Sequence, residues 1–482
     1  MLIVDVLEKI NIISTHGDLN RDILGLTADS REVKKGHMFI AVNGIRSDGH
    51  DYIHQAIENG AVAIVCESLP DDLVEGVSYI QVTDSEYETS RVAGNFYKNP
   101  SHEMNIIAIT GTDGKTTVAH MLYESLLDLD GSASLFSTAG DYINGQKVQL
   151  LRKSPSSIEP VEMQKYLRQA CNAGSRYVCI EATSHALDQQ RYSGIKIARA
   201  VFTNLTQDHL DYHKTMDHYI NSKKRLFDCL PNDSISVVNM DDVCGVRMVA
   251  DTDSKIISYG QAIDLDVRLS VVGYDKSGMN YMINDMSFES SYLGLFNAYN
   301  LAATYTVLDS FGFTSQDIAS TLHRLPGVPG RMQIVSHDQD FLVVVDYAHT
   351  DDALRNVLQT LKDIPHNRII TVVGCGGDRD RSKRPRMAAT SQTYSDQVYF
   401  TADNPRSESL DRIFDDMRGG LGTKQNHEFI YDRRQAISLA IQGAQRGDIV
   451  LIAGKGHEDY QEIAGVKKPF DDVLVAESFL RC

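Results

Sequence analysis

The stretch Ile106-Ile107-Ala108-Ile109-Thr110-Gly111-Thr112-Asp113-Gly114-Lys115-Thr116-Thr117 decides how the chain is read. A short apolar run breaks at a Gly-rich turn and passes into Lys-Thr-Thr. It continues with Val118, Met121, Leu122 and Leu126 in a helical pattern. Strand, loop and helix in that order form a phosphate-binding arrangement. The glycines let backbone N–H groups close on phosphate oxygens, and the helix N-terminus adds a favourable dipole. Lys115 is then placed to reach the terminal phosphates, and Thr116 to hold Mg²⁺ through its hydroxyl. Position 109 is isoleucine where the strict pattern has glycine, so the fit is to the shorter form Gly-Thr-x-Gly-Lys-Thr-Thr.

At 482 residues the length corresponds to about three domains. Apolar residues at 42% and charged residues at 23% give a globular composition with material for several cores. The formal charge of −18 argues against general nucleic-acid binding, which needs a basic face, but leaves room for an anionic small molecule. Seven cysteines, at 66, 171, 179, 229, 244, 375 and 482, show neither Cys-x-x-Cys nor zinc spacing and read as reduced thiols. The first residues lack the basic start and long apolar stretch of a signal peptide, and no run reaches membrane-span length. A cytoplasmic protein without membrane or nucleic-acid partners is expected, as a monomer.

The order of elements predicts an α/β chain of three domains. Residues 1–98 form a small α/β domain, with a strand from Met38 to Val42, a helix from Tyr52 to Asn59 and a strand from Ala61 to Cys66. Residues 99–328 form a central phosphate-binding domain with a parallel sheet of P-loop type, which the family resemblance named below makes an ATPase domain. Its strands end in chemically capable residues: Glu181-Ala182-Thr183-Ser184-His185, then Thr203-Asn204 with Asp208 to His213 beyond, then Asn239 to Asp242. Ligands of open parallel sheets sit outside the carboxyl ends of the strands, so these ends point to one site. Asn297 and Asn300 lie three apart on one helix face. Leu325-Pro326-Gly327-Val328-Pro329-Gly330-Arg331 breaks both helix and strand and marks a boundary near 329. Residues 329–482 repeat the logic as a Rossmann-like, doubly wound domain. Its strands end at Asp346 to His349, Gly374 to Arg381, Thr401 to Arg406 and Ala453 to Tyr460.

Read as isolated residues, several candidates carry two meanings. Glu181 suits a magnesium site, which prefers oxygen ligands, or is a solvated loop carboxylate. His209 suits a second metal or is a hydrogen-bonded structural histidine. Lys223 and Lys224 are surface lysines, unless one of them, neutral and near a metal, takes up CO₂ as a carbamate. Ser30 and Arg31 read as surface residues. The basic run Arg379 to Arg386 is a solvated face or, following a Gly-rich strand end, a contact to phosphate or carboxylate. Arg406 can fork onto a carboxylate, and Glu458 can pair with an ammonium, which together suit an amino acid zwitterion.

Taken together, these motifs resemble the Mur ligase family of ATP-dependent amide-forming enzymes, across nearly the whole chain and in three-domain order. The most specific are Gly111–Thr117, Glu181–His185, Asp208–His213, Val328–Met332, Asp346–His349, Gly376–Pro385, Asp403–Arg406 and Gly454–Gln461. The resemblance implies that Gly111, Thr112, Asp113, Gly114, Lys115, Thr116 and Thr117 hold the phosphates of ATP, with Lys115 catalytic. It implies that Thr116, Glu181, His209 and Lys223 serve Mg²⁺, two ions being expected, with Lys223 carbamylated and Lys224 the fallback. Asn300, Arg331, Asp346 and His349 are implied contacts to the rest of ATP. Ser30 is implied for the uridine end of a UDP-N-acetylmuramoyl-dipeptide, and Ser156, Ser157, Ser184 and Arg191 for its muramoyl-peptide. Arg379, Asp403, Asn404, Arg406, Gly454 and Glu458 are implied for meso-diaminopimelate.

Two departures stand out. Ser156-Ser157-Ile158-Glu159 replaces Thr-Thr-Pro-Asp/Glu on the substrate loop, which keeps the hydroxyls and carboxylate but loses the proline's rigidity. Asp113 replaces the commoner asparagine and brings an acid near anionic phosphates. The implied reaction makes an acyl phosphate from a glutamyl carboxylate and ATP, which an incoming amine then displaces. Nucleotide contacts from two domains imply closure on ATP. The alternatives are a sibling ligase adding another amino acid such as L-lysine, and a catalytically silent Mur-like binding protein. Asp403–Arg406 speaks against the first, and the retained Lys115, Thr116, Glu181, His209 and Lys223 against the second.

Overall fold

The computed structural model describes residues 1–44, 47–152, 157–275, 278–335 and 337–481. The chain divides into two compact units, one of residues 1–260 with 303–313, the other of residues 261–302 with 314–482.

The first unit holds two sheets. The smaller runs Ile12–His16, Ser78–Val82, Ala61–Cys66, His37–Ile40, Gly25–Thr27, with only the first pair antiparallel. Ala61–Cys66 is buried throughout, which accounts for its unbroken apolar sequence. Its two faces pack separate cores, one around Ile3, Val6 and Val92, the other around Ile53, Ala56 and Tyr79.

The larger sheet of this unit runs Lys255–Gly260, Ile235–Asn239, Ile197–Phe202, Asn105–Thr110, Tyr177–Glu181, Ala133–Ser137, followed by the antiparallel hairpin Gly140–Ile143 and Gln146–Val148. The first six strands are parallel. Asn105–Thr110 is central and its isoleucines are fully buried, each contributing roughly 1.5–3 kcal/mol. It is also where the strand order reverses, with Tyr177–Glu181 on one side and Ile197–Phe202 on the other. That reversal opens a crevice at the carboxyl ends, and the Gly-rich loop leads into it.

The second unit begins with an antiparallel meander, Val267–Asp275, Gly278–Ile283 and Met286–Ser290, on which the helix Ser315–Arg324 packs. Its main sheet runs Gln333–Ile334, Leu342–Asp346, Ile449–Ala453, Ile369–Cys375, Gln397–Ala402, His427–Ile430. All neighbours after the first pair are parallel. Helices Asp351–Asp363, Lys383–Tyr394 and Leu410–Arg418 cover one face. Arg433–Gly443 and Asp472–Leu480 cover the other, completing the doubly wound arrangement.

Candidate functional site

The phosphate loop is shaped by two glycines and one neighbouring strand end. Gly111 has φ 151° and Gly114 φ 83°, conformations that side chains resist. A Cβ at Gly111 would fall 1.9 Å from Thr203 Oγ1. Thr203 donates to the carbonyl of Asp113 at 2.6 Å, and Asn204 Oδ1 accepts from the Asp113 N–H at 2.9 Å. Thr112 donates its backbone N–H to Asn204 O, and its hydroxyl meets Tyr219 OH at 3.0 Å. The loop is thus held from Ile197–Phe202's own strand end, and Asp113 is left exposed. The helix Lys115–Asp130 starts directly at Lys115, with Thr116 and Thr117 buried in its first turn.

Around this loop the structure gathers an oxygen-rich cluster. Thr116 donates to Glu181 Oε1 at 3.0 Å. Glu181 Oε2 accepts from Ser137 Oγ at 3.1 Å and from both the N–H and hydroxyl of Thr138 at 2.9 Å. Ser137 and Thr138 escaped the reading of the sequence, although they too follow a parallel strand. Lys115 Nζ rests on the carbonyls of Gly111, at 3.0 Å, and Thr112, at 2.6 Å. Lys223 Nζ meets the same Gly111 carbonyl and lies 4.6 Å from the centre of the Tyr219 ring. Burial, and then the nearby charge of Lys115, hold the Lys223 amine well below the usual lysine range. Lys224 points the other way and pairs with Asp228 and Asp251. One turn of sequence therefore holds a buried amine that loses its proton readily beside an ion-paired surface lysine.

His209 sits in left-handed backbone at φ 53°, its ring 5.0 Å from that of His185. The buried His213 bonds Ser184 Oγ at 3.0 Å, and burial lowers its pKa to about 4. Asp188, His213 and His218 converge closely enough for a metal ion. Their atoms are already engaged, however, since Asp188 accepts from Tyr212, Ser222 and His218, and Arg225 lies 3.5 Å from it. Arg191 holds Ser157 Oγ at 3.0 Å and pairs with Glu159 at 3.1 Å, so two residues of the loop expected to bind substrate meet the arginine expected to bind the same ligand. Ser156 lies outside the described residues. Ser30 is buried in the smaller-sheet region, where its hydroxyl donates to Gln55; its described partners are not those of the phosphate loop.

The second unit gathers its own candidates at strand ends. Asp346 accepts from the N–H groups of Met332 and Ala348, both at 2.7 Å. Arg331 lies over the Tyr347 ring at 4.7 Å, and His349 packs against that ring at 4.7 Å. Burial raises the Tyr347 hydroxyl to about 12, which keeps it neutral. Asn300 is buried and donates to Asn297 at 3.1 Å. Gly330 is needed because a Cβ there would fall 2.1 Å from the His457 nitrogen.

Asn404, Glu458 and Lys455 form a tight triad. Asn404 Nδ2 donates to Glu458 Oε2 at 2.7 Å, and Lys455 Nζ reaches Glu458 at 3.1 Å. Gly454, at φ 113°, lies against Asp403, whose buried Oδ2 has no hydrogen-bond partner among the described residues. Arg406 donates to the Gly377 carbonyl at 2.7 Å and lies 3.9 Å from Glu462. It borders a cleft of about 1150 Å³ that also touches Tyr431, Asp459 and Lys468. The basic run does not act as one surface. Arg384 is fully buried between Glu408 and Asp416, Arg381 pairs with Asp416, and Arg379 alone stays exposed without an ion pair among the described residues. Arg433 and Asp472, both fully buried, tie the ends of two strands together through the carbonyls of Ala402 and Ala453.

Known proteins match this chain along its length. Residues 22–108 match the family described as Mur ligase family, catalytic domain; residues 109–308 match Mur ligase middle domain; residues 330–456 match Mur ligase, glutamate ligase domain. The chain is 40% identical over 476 residues to a Bacteroides fragilis protein named UDP-N-acetylmuramoyl-L-alanyl-D-glutamate–2,6-diaminopimelate ligase, covering 98% of both. A Parabacteroides distasonis protein of the same name is 42% identical over 458 residues, covering 94% of this chain and 93% of that protein. Among solved structures, a ligase of that name superposes with a TM-score of 0.73 at 33% identity, covering 100% of this chain and 99% of the other. A MurF ligase from Thermotoga maritima in complex with ADP shares the fold, with a TM-score of 0.62 at 18% identity over 94% and 96% of the two chains.

Proposed function

The chain belongs to the Mur ligase family, and from that premise we propose that it joins diaminopimelate to UDP-N-acetylmuramoyl-L-alanyl-D-glutamate in an ATP-dependent amide ligation. The observation that carries this reading is the cluster at the phosphate loop. Thr116, Glu181, Lys115 and Lys223 sit around one Gly-rich turn, and an exposed acid is its only departure.

A carboxylate is a poor acyl donor, so the γ-phosphoryl group of ATP first transfers to the glutamyl carboxylate and ADP leaves. The amine of diaminopimelate then attacks the acyl carbon, loses a proton and expels phosphate. Positioning and charge neutralisation dominate the first step, and Lys115 is the cation that neutralises the phosphates. Its two carbonyl acceptors, Gly111 and Thr112, leave a third N–H of the ammonium for a phosphate oxygen.

Magnesium fits the donor set, because Thr116, Glu181 and a carbamate on Lys223 are oxygen donors and His209 adds a nitrogen. Such an ion supplies neutralising charge to the phosphates when bound. The buried amine of Lys223, its proton readily lost, has the nucleophilicity that carbamate formation needs, and the ion-paired Lys224 does not.

In the same reading, Asn300, Arg331, Asp346 and His349 contact ATP, and Ser30, Ser157, Ser184 and Arg191 hold the nucleotide-linked dipeptide. Asp403, Asn404, Arg406, Gly454, Glu458 and the exposed Arg379 receive diaminopimelate. The three segments 1–98, 99–328 and 329–482 divide these tasks.

Phosphate release by the purified protein, assayed with ATP, the nucleotide dipeptide and a panel of amino acids, tests the proposal. Release should require both acceptor and diaminopimelate. Equal turnover of L-lysine would make it a sibling ligase, and no release with any amino acid would make it a silent relative.

A further inference from the structure

We infer that Lys455 is a positioning residue of the amino-acid site, its buried ammonium clamping Asn404 and Glu458 into one preformed surface for an α-amino carboxylate. The inference rests on the reading of Asn404 and Glu458 given above and assigns Lys455 a part in it.

Lys455 is completely buried, between two glycines in left-handed backbone, Gly454 at φ 113° and Gly456 at φ 52°. A Cβ at Gly456 would lie 2.7 Å from the Tyr347 Cβ, and one at Gly454 2.7 Å from Asp403 Oδ2. The backbone is thus bent into a space that only glycine fills, and the lysine side chain between them runs inward. A buried ammonium is tolerated when it is paired. Its hydrogen bonds go to Glu458 Oε2 at 3.1 Å and Asn404 Oδ1 at 3.3 Å, both candidate ligand residues, and it lies 5.5 Å from the centre of the Tyr460 ring.

The hydrogen-bond inventory fixes what remains for a ligand. Glu458 Oε2 already receives Asn404 Nδ2, at 2.7 Å, and Lys455, which leaves Oε1 as an acceptor. Asn404 Oδ1 receives Lys455 and the backbone N–H of Glu462 at 2.9 Å, so the amide orientation is set. Asn404 is buried, and its Nδ2 has Glu458 Oε2 as its described acceptor, so one of its two hydrogens is uncommitted among the described residues. An acceptor from a carboxylate beside a donor from an amide complements an ammonium beside a carboxylate. Without Lys455 the glutamate keeps its charge but loses one of two anchors, and the amide loses the cation that fixes its oxygen.

The test is steady-state kinetics of the full-length protein with Lys455→Gln, Lys455→Met, Glu458→Gln and the double variant Lys455→Met/Glu458→Gln. Lys455→Gln should raise the KM for diaminopimelate about tenfold, with the KM values for ATP and the nucleotide dipeptide within about twofold of wild type. The double variant should show less than the product of the two single effects, because both act on one contact. The proposal is overturned if Glu458→Gln raises the diaminopimelate KM while both Lys455 variants leave it unchanged. It is equally overturned if the Lys455 variants raise all three KM values together, the signature of a general structural role. If Glu458→Gln itself leaves the diaminopimelate KM unchanged, the assignment of the site falls and this inference with it.

Discussion

The side-chain amine of Lys223 bonds the carbonyl oxygen of Gly111, a residue 112 positions earlier that opens the phosphate loop. That bond places the amine against the same oxygen Lys115 occupies, inside a wall formed by Tyr219. Two lysines converging on one buried carbonyl are not both comfortably charged, and Lys223 is the one that gives way. Lys223→Ala should lower acceptor-dependent phosphate release by about a hundredfold or more, and Lys224→Ala by no more than about twofold. Removing and restoring bicarbonate should change the wild-type rate and leave Lys223→Ala unaffected.

The same lysine has a pH signature in stability. Burial depresses its pKa in the folded state below the ordinary 10.5, so the unfolded chain binds the extra proton between the two values. Its contribution therefore makes the fold more stable as pH rises through that window, up to the ordinary lysine value. In buffer freed of CO₂, where the amine is unmodified, Lys223→Met should flatten the alkaline-side rise in denaturation midpoint relative to wild type. An unchanged slope would mean that Lys223 is charged in the folded protein.

Gly111 and Asp113 make opposite predictions within one loop. Gly111→Ala forces a Cβ against Thr203 Oγ1 in a backbone conformation that alanine resists, at a cost of about 1–3 kcal/mol, and should abolish saturable ATP dependence. Asp113→Asn removes one exposed negative charge next to the phosphates and should lower the KM for ATP by roughly two- to fivefold. A rise in that KM would show that the acid faces a cation in the working enzyme.

Arg406 should decide the amino acid. L-Lysine lacks the distal carboxylate, so its binding leaves the guanidinium with the Gly377 carbonyl and Glu462 but without the carboxylate it would fork onto. Arg406→Ala should raise the KM for diaminopimelate by about a hundredfold, leave that for ATP nearly unchanged, and narrow the preference over lysine. Comparing the two amino acids on wild type and variant reads this directly.

Acid stability should reside in Arg384 rather than Arg379. Hydrogen bonds from Arg381 and then Arg384 lower Asp416 to about 2, and Arg384 lowers Glu408 to about 2. These carboxylates are depressed in the fold, so their contribution is present above the ordinary carboxylate range and is lost as pH falls through about 2. Arg384→Met should shift acid unfolding to higher pH, whereas Arg379→Met should leave it in place. Thermal scans between neutral and acidic pH separate the two.

What the sequence discloses follows the range of the physics involved. Ile106–Thr117 is legible because an apolar strand, two glycines and a helix are local signals. Glu181 and Asp346 are legible because a polar residue ending an apolar run lies at a sheet's carboxyl edge. Lys223 and Lys224 cannot be separated that way, since neighbours on a helix point about 100° apart and the tertiary fold decides which is buried. The basic run 379–386 looks uniform for the same reason, yet Arg384 is internal and Arg379 external. The meander from Val267 to Ser290 went unread although Val267 to Val271 and Met286 to Glu289 alternate apolar and polar, because its strands lack the capable ends that drew attention elsewhere. Lys455 was passed over inside its motif, as nothing local reveals that the glycines beside it turn it inward.

The clasp between Arg191 and the loop at Ser157–Glu159 carries a consequence for the conditions under which this enzyme works. The family resemblance puts a proline in this loop, where a ring would set the shape whatever the solvent. Here Ile158 is anchored in the core, and the flanking geometry hangs on a partly exposed ion pair at 3.1 Å. Dissolved ions weaken such a pair only modestly, since Arg191 is buried, and leave a proline untouched. A loop that grips the nucleotide dipeptide through this clasp should therefore lose affinity as ionic strength rises, by a modest factor because the arginine is buried, where a proline-set loop should not respond at all.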